Sequence, residues 1–68
     1  MTMSELASRA DDVRHKAASL EAAIEEELNF VNDRQGAPDF AWLDHHCDLL
    51  VRATLRVQKM LKQLRSGQ

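Results

Sequence analysis

Apolar positions recur every three or four residues along nearly the whole chain. In the first half they are Leu6, Ala10, Val13, Ala17, Leu20, Ile24, Leu28 and Val31, spaced 4, 3, 4, 3, 4, 4 and 3, a heptad seam with one stutter. In the second half they are Phe40, Leu43, Cys47, Leu50, Thr54, Val57, Leu61 and Leu64, whose spacings alternate strictly between 3 and 4. The only strong punctuation is Gly36-Ala37-Pro38-Asp39. Gly36 suits the left-handed residue that ends a helix, and Pro38 suits the first turn of the next. The pattern predicts helix 1 over about residues 4–34, a turn at 35–38 and helix 2 over about 39–65. Thr2-x-x-Glu5 reads as a capping box, with Ser4 an alternative cap. So short a turn folds the helices back alongside each other, and the two seams match in length. The fold class expected is all-α: one antiparallel, coiled-coil-like two-helix hairpin spanning residues 1–68.

Apolar surface is left over. At 100° per residue, Trp42, Leu49, Ala53 and Met60 fall roughly 80–120° to one side of the helix 2 seam. Val51 and Leu55 fall a similar angle to the other side, and Phe30 lies off the seam of helix 1. Helix 2 is apolar over more than half its circumference, wider than one neighbouring helix covers. The partner-binding residues expected on this basis are Phe30, Trp42, Leu49, Ala53 and Met60. The hairpin would be completed by a protein partner or by self-association.

Size sharpens that expectation. A chain of 68 residues buries a low fraction of its surface, and the single Cys47 closes no internal disulfide. A lone cysteine fits a reducing compartment, there is no run of about 20 apolar residues to span a membrane, and Met1–Glu5 shows no secretory pattern. A cytoplasmic location is expected. Residues 1–35 hold eight acids and four bases, and residues 36–68 three acids and five bases. Neither half is basic enough for a nucleic-acid footprint, so no nucleic-acid partner is expected.

The chemistry-bearing residues form no catalytic pattern. In His45-His46-Cys47-Asp48, neighbouring side chains on a helix point about 100° apart and do not converge on one ion. Cys47 falls on the seam as a small hydrophobe, His46 at its edge and His45 in solvent. A two-helix hairpin offers no pocket for a Ser-His-Asp or Cys-His arrangement, and no glycine-rich phosphate loop is present. The expectation is no enzyme, no catalytic residue, no metal, no cofactor and no small-molecule substrate. Glu25-Glu26-Glu27 reads as a solvated acidic face that the hairpin places level with His45 and His46.

Several residues carry a likeness to a known family. They are the Met1-Thr2 start, Val13-Arg14, Leu20-Glu21, Ala23-Ile24, the Arg34-Gln35-Gly36 turn, Phe40 and Trp42 opening helix 2, and the end of the chain soon after Leu64. In these the chain resembles the small needle-chaperone subunits of bacterial type III secretion systems, the YscE/PscE/AscE type, along its whole length. The resemblance implies a cytoplasmic co-chaperone of bacterial virulence. It would join a larger helical-repeat chaperone and hold the needle subunit monomeric. It carries over no catalytic residue, and Glu25–Glu27 departs from the family pattern. A second likeness, of Leu43-Asp44-His45-His46-Cys47-Asp48 with Leu50 and Arg52 to the second helix of the plasmid protein Rop, implies instead a homodimeric four-helix-bundle adaptor or regulatory protein. Helix 1 is acidic, so the RNA binding of Rop is not expected to transfer.

Overall fold

A computed structural model describes residues 2–34 and 36–67. Met1, at the start of the family likeness, and Gln35, in the expected turn, lie outside the described residues. Helix α1 spans Met3–Arg34 and helix α2 spans Phe40–Ser66, with no strand among the described residues. The helices pack side by side as an antiparallel hairpin measuring 55 × 17 × 10 Å between its Cα extremes. It is therefore a single layer two helices wide.

The helix ends follow from local chemistry. Thr2 caps α1: its hydroxyl accepts a hydrogen bond from the Glu5 N–H at 3.2 Å, and its carbonyl accepts from the Leu6 N–H at 3.1 Å. Asp39 caps α2, its carboxylate accepting from the Trp42 N–H at 3.0 Å. Pro38 therefore sits ahead of the cap, not in the first turn. Gly36, beyond the end of α1, lies close under an aromatic ring: a Cβ there would come 2.7 Å from Phe30 Cε1, so the ring would have to shift. At the far end the Gly67 N–H donates to the Gln63 carbonyl at 2.9 Å, and Arg65 occupies the last turn, where the helix dipole favours positive charge.

The packed seam shares only half its residues with the expected one. Leu6, Val13, Leu20 and Val31 of α1 and Leu43, Leu50, Val57 and Leu64 of α2 are half-buried between the helices as expected. Ala10, Ala17, Ile24 and Leu28, and with them Phe40, Cys47, Thr54 and Leu61, are exposed. Their places are taken by Lys16, Ala23 and Glu27 on α1 and by His46, Ala53 and Met60 on α2. On α2 the inward row lies three residues beyond Leu43, Leu50 and Val57, whereas the expected row lay four beyond. The difference has a steric reason. Ala23 and Ala53 are the two residues enclosed between the helices, at 4% and 3% exposure. Such small side chains let the backbones approach closely, and Ile24, Leu28, Phe40 and Leu61 would hold them apart.

Candidate functional site

The rotation of the seam redistributes the candidate partner-binding residues. Ala53 belongs to the hairpin's own interior and is closed to any partner. Leu49 and Met60 are half-buried at its border. Of the five residues expected to bind, only Trp42 and Phe30 stay exposed, at 44% and 42%. Phe30 covers Gly36, and Trp42 stands edge-on to His46, with ring centroids 4.5 Å apart, while His45 stacks on it at 6.1 Å. These rings make a small aromatic group near the turn.

The residues displaced from the seam form a larger surface. Ala10, Ala17, Ile24 and Leu28 run along α1, and Phe40, Cys47, Thr54 and Leu61 run along α2. In an antiparallel pair, the flank lying four residues beyond the seam of one helix borders the same flank of the other. Both rows therefore belong to one broad face of the layer. Near the turn the α1 row borders a shallow concavity lined by Ile24, Glu27, Leu28, Val31, Pro38 and Leu43. None of the eight side chains in the two rows is charged. The one hydroxyl among them, Thr54 Oγ1, donates to the Leu50 carbonyl at 2.9 Å, so it needs no partner from outside. Phe40 is 67% exposed, Leu28 57%, and Ile24 and Leu61 each 49%. These four make up a large part of the exposed bulky apolar surface among the described residues.

The interior, by contrast, is thin and partly polar. The half-buried Lys16 approaches Asp12 at 3.9 Å, and Glu27 turns to the Asp39 N–H at 3.0 Å. His46 Nε2 is enclosed with no hydrogen-bond partner among the described residues. The hairpin thus encloses two alanines in a half-buried seam of leucines and valines with a few polar groups, and leaves Ile24, Leu28, Phe40 and Leu61 outward.

Cys47 is exposed on the apolar face, on the flank of α2 away from His46. Among the described residues no three His, Cys, Asp or Glu side chains are grouped to hold a metal ion. Glu25 and Glu26 are exposed, while Glu27 is occupied at the helix junction. The opposite face carries, near the open end, a shallow polar groove lined by Glu5, Ser8, Arg9, Arg56, Lys59, Met60 and Gln63. No helix among the described residues is long and apolar enough to cross a membrane.

Periodicity alone could not find this face. It shows an apolar sector too wide for one helix neighbour, and either edge of that sector satisfies a heptad. Alanines do not choose between the edges either, because Ala10 and Ala17 lie in the expected row and Ala23 and Ala53 in the observed one.

The fold and face together define a two-helix hairpin with one thin inner seam and one exposed apolar face. The chain matches no protein-family model, no curated protein and no solved structure.

Proposed function

We propose that the chain is a protein-binding module, half of a helical bundle, whose apolar face is covered by helices from outside the hairpin. One observation carries the reading: the hairpin encloses only Ala23 and Ala53 among the described residues, while Ile24, Leu28, Phe40 and Leu61 stand exposed on one face. Burying a large apolar side chain contributes about 1.5–3 kcal/mol, so covering these four is a strong drive to associate. The co-chaperone role is the specific form of this reading that the sequence likeness supports. In that form the module works in the bacterial cytoplasm with a helical-repeat chaperone, and the pair keeps a secretion needle subunit monomeric.

The test is co-expression with such a chaperone and needle subunit. The wild-type chain should co-purify in a stoichiometric complex, and Leu28→Glu or Leu61→Glu should abolish it, while Leu55→Glu on the outward surface should not. Equal retention of all three variants would exclude the apolar face as the binding surface. Failure of the wild type to bind, with the face still driving association of the chain itself, would remove the co-chaperone form alone.

A further inference from the structure

We infer that, in the chain without another partner, the apolar face is covered by a second copy of this chain, stacked face to face and antiparallel, so that the turn end of each hairpin lies over the open end of the other. The inference rests on the reading of that face as a docking surface and names its occupant.

Charge selects the occupant and its direction. The hairpin is polarised along its length in a way that a count by helix conceals. Residues 21–50, the half nearest the turn, hold eight acids and one base. Residues 1–20 and 51–68, which the antiparallel fold brings together at the open end, hold three acids and eight bases. The turn half carries a formal −7 and the open half +5, together the chain's −2. The opposite ends of one chain are therefore each other's electrostatic complement. A two-fold axis through the middle of the face sets both acidic halves against basic halves at once, as an isologous contact requires. Stacking with turns together would superpose like charges at both ends. The two rows carry no charge and Glu27 lines the concavity near the turn, so the charges steer direction while the apolar rows supply the contact.

Area agrees with this occupant. A layer 55 × 17 Å offers roughly 900 Å² in projection, close to the ~800 Å² that each partner of a stable complex commonly buries. At the helical rise of about 1.5 Å per residue the rows run roughly 27 Å along α1 and roughly 32 Å along α2, the middle of that length, so a hairpin of equal length covers both from end to end. The product is a four-helix bundle in which Ile24, Leu28, Phe40 and Leu61 supply the central layers that the single hairpin lacks.

Two measurements on the full chain test this. Sedimentation equilibrium should give twice the 7.7 kDa chain mass at micromolar concentration. Association should weaken several-fold when salt is raised tenfold, because screening removes attraction between opposite ends. Spin labels on Ala41→Cys in a Cys47→Ala background, which keeps the face apolar, at an exposed outward site near the turn, should lie about 40 Å apart, from the 1.5 Å helical rise per residue. Leu28→Glu should give a monomer, with Leu55→Glu as the control that carries the same charge off the face. A dimer with labels under about 25 Å apart, strengthened by salt, would overturn the antiparallel arrangement and keep the docking face. A monomer that associates only with a different protein through Leu28 would overturn the second copy and keep the docking face. A monomer for which Leu28→Glu changes neither mass nor binding would overturn both.

Discussion

The Glu27 carboxylate accepts a hydrogen bond from the Asp39 N–H at 3.0 Å, tying the last turns of α1 to the residue that caps α2. Asp39 in turn accepts from the Trp42 N–H at 3.0 Å, so the two acids act in series at the helix junction. Losing the cap leaves backbone donors of the first turn without a partner. Asp39→Ala should destabilise the fold by about 1 kcal/mol. Glu27→Gln, which keeps an acceptor, should cost less than Glu27→Ala. Chemical denaturation of the three variants checks the order, and an unchanged Asp39→Ala midpoint would contradict the capping role.

Gly36 lies under the Phe30 ring, where an added Cβ would approach Cε1 to 2.7 Å. Gly36→Ala should therefore destabilise the hairpin although alanine is the better helix former. The cost comes from the ring, so Phe30→Ala should remove part of it. A double-mutant cycle should show coupling above about 0.5 kcal/mol, as expected for residues in contact. Additive effects would mean that the glycine is required for another reason.

Element type, number and order are legible in the sequence because a strict heptad and one Gly-Ala-Pro-Asp break leave little else to build. The helix limits differ from those expected by a residue or so. Which edge of the apolar sector turns inward is not legible from spacing. Leu43, Leu50, Val57 and Leu64 serve both arrangements, and the rows at three and at four residues beyond them are each uninterrupted along the helix. Hydrophobicity alone favours burying Phe40 and Leu61; the observed seam buries Ala53 and half-buries His46 instead, because close approach of the backbones matters between two helices with no third layer. That preference reverses the expected roles of Ala53 and Leu61. A partner-binding set chosen from the wheel thus contains a residue sealed inside the hairpin.

His46 occupies the inward row, with Nε2 enclosed and unpartnered among the described residues. An unsatisfied buried polar atom costs about 1–3 kcal/mol. His46→Leu should therefore stabilise the hairpin despite losing the edge contact with Trp42, and raise its thermal midpoint by several degrees. A lower midpoint would show that the imidazole is satisfied in solution.

Arg14 donates to Asp11 Oδ1 through Nε at 3.1 Å and Nη2 at 2.8 Å, and His15 Nδ1 lies 3.4 Å from Oδ2. The hydrogen bonds from Arg14 hold the Asp11 carboxyl below its ordinary range. Desolvation opposes them in part, and the charges of His15 and Arg14 assist. A carboxyl depressed in the folded state contributes stability above its unfolded value and loses it as pH falls through the folded one. The group is exposed, so the effect is small and screened by salt. An NMR titration should place the Asp11 midpoint below that of an unstructured peptide, and Arg14→Gln should move it upward. No movement in the variant would exclude Arg14 as the cause.

Leu50 and Leu61 belong to the same apolar sector of α2, yet one is half-buried between the helices and the other is 49% exposed. The same truncation should therefore act on different equilibria. Leu50→Ala removes a side chain from the inner seam and should destabilise the hairpin by about 2 kcal/mol, the low end for a buried leucine because the site is only partly enclosed. Its thermal midpoint should fall at every protein concentration. Leu61→Ala removes a side chain from the outer face and should act on association. Its midpoint should fall below that of the wild type where the chain is associated and converge with it on dilution, because binding stabilises the folded state by mass action. Melting curves of both variants and the wild type across a hundredfold concentration range decide the matter. Concentration-independent loss for Leu61→Ala would place that residue in the inner seam, and with it the whole row from Phe40 through Cys47 and Thr54.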